Sequence, residues 1–206
     1  MQPAGNETRE KFAVAPIGRK RLRNLTRTLP LAALSLLLYS PSFCGEKVSP
    51  EYQLKAAFLF HFAQFVEWPA EAFKDASSPM TYCTVGADPF GGALDDSLRD
   101  KKIGEHEIRV RHLKTFDGIQ DCQVLFIGAT ETRRAPSVLE KVKGSAILTV
   151  GESQSFAEDG GMIEFCLEGN KIRFEINLAA VNAARLKMSA RLLTLAKNVI
   201  GAVGGN

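Results

Sequence analysis

The spacing of apolar residues predicts a helix at the start of the globular part of the chain. Ser49-Pro50 has the form of a helix start and Trp68-Pro69 that of a stop, so we expect the helix to run to Glu67. The predicted core face holds apolar residues that recur at helical spacing: Leu54, Phe58, Phe62 and Phe65.

Three short apolar runs follow, and each ends in a glycine and then polar residues. They lie at 81–85, 124–127 and 147–150, a pattern typical of strands buried on both faces of a parallel sheet. Helical segments are predicted at 90–98 and 136–143, between these strands. Residues 108–113 alternate apolar and basic side chains, which predicts a half-exposed edge strand. Strands that alternate with helices indicate right-handed crossovers.

The last part of the chain predicts a hairpin and two helices. A Gly160-Gly161 bend precedes strands at 162–167 and 171–177, which a tight turn joins into an antiparallel pair. Asn177 and Ser189 are expected to cap helices over 178–185 and 190–200. One apolar stripe of the second helix comprises Leu192, Leu195, Ala196 and Val199. The predicted fold class is therefore α/β, with a mostly parallel sheet flanked by helices on both faces and a C-terminal antiparallel hairpin.

The basic charge of the chain is concentrated at its N-terminus. Of 26 Lys and Arg and 23 Asp and Glu, residues 1–44 hold seven basic and two acidic side chains, which leaves a charge of −2 for the remainder. This distribution argues against a nucleic-acid partner.

The same N-terminal segment has the layout of a secretory signal. A basic region precedes an apolar run over 29–39, and small residues follow, so cleavage is expected after Ser42 or Cys44. The run is short for a membrane-spanning helix, which needs about 20 apolar residues. We therefore predict a signal peptide over 1–44, a single domain over 45–206 and a periplasmic location.

Polar residues after the buried strands indicate one candidate ligand site. In open parallel sheets, ligands bind outside the carboxyl ends of the strands, and Asp88, Thr130 and Glu152 follow three of them. Helix or turn capping is the alternative role for Asp88 and Thr130. The predicted ligand, if this site is used, is a small solute.

The sequence gives little support to an enzyme. It has no dinucleotide, phosphate-loop or nucleophile-elbow motif, no Cys-x-x-Cys, and no cofactor signature. Its three histidines have no metal-ligand spacing; they are His61, His106 and His112. We therefore expect neither catalytic residues nor a metal site.

Aromatic residues are dense near the end of the first helix. Phe60, Phe65 and Trp68 exceed what one core stripe needs. Core packing explains such residues in most helices, and a partly exposed surface for a partner is the other interpretation.

The cysteines allow a disulfide in an exported chain. Cys83 lies in the first buried strand and Cys122 at the start of another, so a bond is possible if these strands are neighbours. Buried free thiols are the alternative, and Cys166 on the hairpin is expected to be unpaired.

Several segments resemble the YfiR family of small periplasmic regulatory proteins. The resemblance is carried by the run AAFLFHFAQFVEWP at 56–69, by Gly160-Gly161, by RFEINL at 173–178 and by LKMS at 186–189. It extends over about residues 50–200.

The resemblance implies a non-enzymatic regulator. Members bind and repress the periplasmic sensor domain of an inner-membrane diguanylate cyclase, and a partner at the outer membrane, expected here to be a lipoprotein, relieves repression by sequestering them. The resemblance also implies a disulfide between Cys83 and Cys122, since members carry a cysteine pair at matching places. A second family cysteine is replaced here by Asp159. We further expect a homodimer, with a solute-binding module for a membrane sensor as the alternative function.

Overall fold

The structure, a computed structural model, describes residues 49–201, and the predicted signal peptide lies outside them. The helices are α1 (Pro50–Gln64), α2 (Ala93–Leu98), α3 (Ala135–Val142), α4 (Leu178–Ala183) and α5 (Ala190–Leu195). The strands are β1 (Val66–Glu67), β2 (Met80–Val85), β3 (Lys102–Ile103), β4 (His106–Leu113), β5 (Val124–Ile127), β6 (Leu148–Gly151), β7 (Ile163–Glu168), β8 (Lys171–Asn177), β9 (Lys187–Met188) and β10 (Asn198–Ile200).

Eight of these strands form one sheet in the order β10-β8-β7-β6-β5-β2-β4-β3. Five of them, β4, β2, β5, β6 and β7, pair with one another in parallel, and β3 adds antiparallel to β4 at one edge. The β7–β8 pair is the predicted antiparallel hairpin, with Glu168 opposite Lys171 at its turn. The predicted fold class is confirmed, because the parallel strands β2, β5 and β6 are buried over their whole length and helices cover both of their faces.

The two faces of the sheet carry separate apolar cores. One core contains buried residues of α1, α2, α4 and α5, with Phe62, Tyr82 and Phe126 among the largest. The other lies under α3 and contains Cys83, Val138 and Phe156. Because β2 and β5 contribute alternate side chains to each core, both strands are buried over their whole length.

Helix α1 starts at Pro50 as predicted, and the Ser49 hydroxyl accepts a hydrogen bond from Glu51 N–H. It ends at Gln64 and not at Glu67, because β1 pairs antiparallel with β9. The predicted core face is also wrong in part. Leu54 is 48% exposed, whereas Lys55, Ala56 and Leu59 are buried, because apolar residues surround most of this helix and their spacing alone does not select a face.

The helix predicted over 190–200 is wrong beyond Leu195. Ser189 caps α5 as expected, but residues 198–200 form β10, which pairs in parallel with β8. Lys197 N–H also donates to Phe174 C=O at 2.8 Å. The free edge of β8 therefore offers backbone partners that the last turns of a helix would not have, and Leu195, predicted to be apolar core, is exposed.

The Gly160-Gly161 bend has a separate reason for each glycine. Gly160 has φ +102°, a conformation that L side chains rarely adopt. A Cβ on Gly161 would lie 2.1 Å from a ring carbon of Phe156, which packs in the core below. The bend thus brings the chain across Phe156 into β7.

Within residues 49–201, every helix is too short or too polar to cross a bilayer.

Candidate functional site

The carboxyl ends of β2, β5 and β6 meet at one edge of the sheet, as the sequence predicts, but their polar residues have different surroundings. Glu152 follows β6 and its side chain is buried. Asp88 accepts a hydrogen bond from Phe90 N–H at 2.9 Å and faces His112 across the end of β4. Thr130 is exposed in a short 3-10 turn after β5. The three residues therefore share an edge without converging on one point.

Glu152 is the centre of a buried polar network that links α1 to the sheet. Its carboxylate contacts the Lys55 ammonium and accepts hydrogen bonds from the Tyr52 hydroxyl at 3.0 Å and from Ala129 N–H at 2.8 Å. Lys55 also pairs with Glu51 at 2.6 Å, and its ammonium lies 4.6 Å from the Tyr52 ring centroid. Burial, followed by the charge of Glu152, raises the pKa of Tyr52 above its ordinary value, so its hydroxyl remains a donor.

A cavity of about 370 Å³ opens beside this network. Its walls include Tyr52, Lys55, Glu152, Glu164 and Cys166, so a single cation faces several carboxylates. Neither Asp88 nor Thr130 lines it. Burial raises the pKa of the Glu164 carboxyl, and Glu175, which is opposite in the hairpin, raises it further. Phe165 and Leu167 add apolar surface to the same walls, and the small-ligand site stays a prediction.

A histidine cluster at the end of β4 is a second constellation. His112 Nδ1 lies 2.9 Å from the Thr84 hydroxyl, and its Nε2 lies 2.8 Å from the Asp95 carboxylate. This order of hydroxyl, imidazole and carboxylate is that of a nucleophilic triad. However, Thr84 is only 2% exposed and lies within the sheet, so its hydroxyl is closed to a substrate. The cluster instead ties α2 to β4.

The part of the chain that the structure describes, residues 49–201, contains no group of three His, Cys, Asp or Glu residues suited to hold a metal ion. Sequence reasoning missed Asp95 and Thr84 as partners of His112. Local sequence patterns do not indicate these partners, because contact between β2, α2 and β4 depends on the strand order.

The predicted aromatic surface is half-buried. Phe60, Phe65 and Trp68 all pack against the rim of the larger core. Lys101 Nζ lies 4.3 Å above the centroid of Phe60, and the Arg191 guanidinium lies 5.6 Å from that of Phe65. The Phe60 and Phe65 rings thus each have one apolar side and a cation nearby, and partner binding through the three aromatic residues stays a prediction.

The large hydrophobic residues that are most exposed lie elsewhere. Among residues 49–201 they are Leu54, Leu167 and Leu195. Leu54 and Leu167 line one groove of about 640 Å³ between the start of α1 and the hairpin. Sequence reasoning missed this groove because it assigned Leu54 to the core and left Leu167 as an ordinary strand residue.

The structure contains a disulfide between Cys83 and Cys122. Their Cα atoms are 5.9 Å apart, and both residues are almost completely buried beneath α3. Cys83 belongs to β2, and Cys122 lies two residues before β5, so the bond joins neighbouring strands. Cys166 is free and half-buried, and burial raises the pKa of its thiol.

Comparisons with known proteins place this fold in context. A family model described as YfiR/HmsC-like matches residues 52–197. A solved structure of the ABC domain from Streptococcus pneumonia in complex with L-Trp has a TM-score of 0.47, 9% identity and coverage of 69% of this chain. A conserved domain protein from Vibrio cholerae O1 biovar El Tor has a TM-score of 0.47, 10% identity and coverage of 73%. The chain spans 60% of the length of each of these two structures.

Proposed function

The chain belongs to the YfiR/HmsC-like family of periplasmic, non-catalytic regulators of diguanylate cyclase signalling, and we propose that it binds and represses the periplasmic sensor domain of an inner-membrane diguanylate cyclase. The observation that carries this proposal is the family match, which extends over residues 52–197 and thus over nearly all of the described fold. The Cys83–Cys122 disulfide supports it, because such bonds persist in oxidising compartments outside the cytoplasm.

Sequestration by an outer-membrane lipoprotein would relieve this repression, and the chain would act as a homodimer. The half-buried aromatic cluster of Phe60, Phe65 and Trp68 is the first surface to test, because aromatic anchors dominate many interfaces.

Deleting the gene tests the function in cells. Loss of the repressor should raise cyclic-di-GMP and biofilm formation, and the wild-type gene supplied on a plasmid should restore both. Unchanged cyclic-di-GMP in the deletion strain would contradict the proposal. The direct test is binding of the purified chain to the purified periplasmic domain of a membrane cyclase from the same organism.

Trp68→Ala tests the proposed surface. If Trp68 contacts the cyclase, the variant should bind at least about tenfold more weakly, since hot-spot residues contribute about 2 kcal/mol or more. Phe116→Ala is the matched control, because Phe116 is another half-buried aromatic at a core rim, with the Arg134 guanidinium 4.0 Å from its ring centroid. Thermal melts of both variants separate lost binding from lost stability. Equal binding losses in the two variants would contradict a specific role for Trp68.

A solute-binding module is the second candidate, and the cavity beside Lys55 and Glu152 is the observation that favours it. In that case, deletion should leave cyclic-di-GMP unchanged, and a small polar solute should raise the melting temperature of the wild-type chain.

A further inference from the structure

One side of strand β4 is left without a strand partner over most of its length. Its inner side pairs with β2 from Ile108 to Leu113. On its outer side, β3 reaches only His106 and Glu107. Among residues 49–201 no strand covers the outer side beyond that point.

The hydrogen-bond pattern shows which backbone groups point outward. Gly86 N–H donates to Leu113 C=O at 3.0 Å, so the carbonyl of Leu113 faces β2. Backbone groups of successive residues point to opposite sides of a strand. The N–H and C=O groups of Ile108, Val110 and His112 therefore point away from β2. Within the described chain, Val110 and His112 make no backbone hydrogen bond on that side.

The side chains along this edge differ between the two faces of the sheet. Ile108 and Val110 are half-buried and pack against the larger core. On the opposite face, Arg109 is exposed and has no ion pair among residues 49–201, and the Arg111 side chain is 34% exposed. Arg111 has one distant counter-ion, Asp121, at 3.6 Å.

A cavity of about 540 Å³ lies beside the two arginines. It is lined by three basic residues, namely Lys74, Arg109 and Arg111, and by two acidic ones, Glu71 and Asp121. The site therefore has an excess of positive charge next to unpaired backbone groups. An unpaired edge of this kind accepts an added strand, and the side chains beside it select the sequence of that strand.

We propose that the β4 edge binds an extended peptide segment of a protein partner as an additional strand. The segment carries carboxylates at alternate positions, which face Arg109 and Arg111, and apolar residues between them, which face Ile108 and Val110. A second copy of the chain fits poorly here, because antiparallel pairing of two β4 edges brings arginines opposite arginines. The β4 edge would bind such a segment whether or not the partner is the cyclase.

The probe for the test is a blocked peptide of alternating Glu and Val, about seven residues long, matching a typical strand. It is titrated to roughly millimolar concentration, the weak end of specific binding, into the isotope-labelled full chain. We expect amide shifts and slowed amide exchange at Val110 and His112. The same peptide with Lys in place of Glu should bind roughly tenfold more weakly or not at all.

Charge variants test the role of the arginines. Arg109→Glu combined with Arg111→Glu should weaken binding of the acidic peptide by roughly tenfold or more. Arg133→Glu is the control, because Arg133 is exposed in a turn and does not line the cavity beside Arg109 and Arg111, and it should leave binding unchanged. Equal binding by the double variant and the wild type overturns the proposal.

Val110→Pro tests the backbone contact itself. It removes an N–H that points away from β2 and leaves the β2–β4 bonds in place, so binding should fall by about fivefold. If circular dichroism shows that this variant does not fold, the charge variants decide the question. The proposal is also overturned if the acidic peptide leaves the β4 amides unshifted. Slow exchange of Val110 and His112 before any peptide is added would overturn it too, because the chain would then cover its own edge.

Discussion

At the residue scale, the buried charges of α1 determine how this helix binds the sheet. The Lys55 and Glu152 side chains are 5% and 6% exposed, which is rare for such residues unless they are paired. The Lys55 ammonium has two carboxylate partners and an aromatic ring, and Glu152 accepts further hydrogen bonds. These contacts compensate the cost of removing the two charges from water. If either Lys55 or Glu152 is removed, the other charge stays buried without this compensation.

We expect Lys55→Met to lower the free energy of unfolding by about 3–5 kcal/mol, because it leaves the Glu152 carboxylate buried without its cation. The double variant Lys55→Met with Glu152→Gln should recover at least half of this loss, since the amide still accepts from Ala129 N–H. Urea unfolding measures both values. Lys143→Met, which breaks an exposed pair with Glu140, is the control and should change stability little. A double variant no more stable than the single one would contradict this account.

Glu164 makes stability depend on pH in the opposite sense to most carboxylates. Burial and Glu175 raise the pKa of Glu164 in the folded state above its value in the unfolded chain. The contribution of Glu164 to stability is therefore complete below the pKa of the unfolded state, and it is lost as the pH rises through the pKa of the folded state. Glu164→Gln should therefore raise the melting temperature at about pH 7, and this gain should disappear near pH 4.

Asp75 provides a control of the reverse sign. Hydrogen bonds from Ser77 lower the pKa of its carboxyl, so Asp75→Asn should destabilise at neutral pH, and the difference should shrink as the pH falls through the folded pKa. If the melting temperatures of Glu164→Gln and the wild type change in parallel with pH, the surroundings of Glu164 do not raise its pKa.

At the scale of elements, the disulfide and the strand register act together. The bond ties β2 to the turn before β5, and these two strands lie in the middle of the sheet, with both helix layers packed over them. A crosslink at this place restrains two fully buried interior strands of the sheet, whereas Cys166 lies in the hairpin of β7 and β8.

Replacing both Cys83 and Cys122 with Ser should lower the free energy of unfolding by roughly 3–4 kcal/mol, because a crosslink across 39 residues restricts the unfolded chain. Adding a reductant to the wild type should lower its urea midpoint to a similar extent. Cys166→Ser is the matched control and should have a much smaller effect. Peptide mapping without reductant should find Cys83 bonded to Cys122, and alkylated Cys83 would refute the pairing.

At the scale of the whole molecule, the proposed role requires export. Mass spectrometry of protein purified from the native cell should find a new N-terminus between Phe43 and Ser49, since the predicted cleavage follows Ser42 or Cys44. An intact Met1 in that material would contradict the expectation.

The sequence by itself determined the elements whose patterns are strictly local. They include the apolar runs that became β2, β5 and β6, the hairpin of β7 and β8, the start of α1 at Pro50, and the Asn177 and Ser189 caps. Each follows from side-chain patterns or hydrogen-bonding groups within a few residues. The resemblance to YfiR proteins predicted the family and the pairing of Cys83 with Cys122, because the matching motifs extend along most of the chain.

Only the tertiary structure decided which residues meet across distant elements. The buried face of α1 depends on side-chain packing in the larger core. The end of that helix depends on the pairing of β1 with β9, more than a hundred residues away, and β10 forms in place of helical turns because β8 offers a free edge. The same holds for the pairing of Lys55 with Glu152 and for the uncovered side of β4. Periodicity in the sequence describes one element at a time, whereas burial, ion pairs and sheet edges are properties of the packed chain.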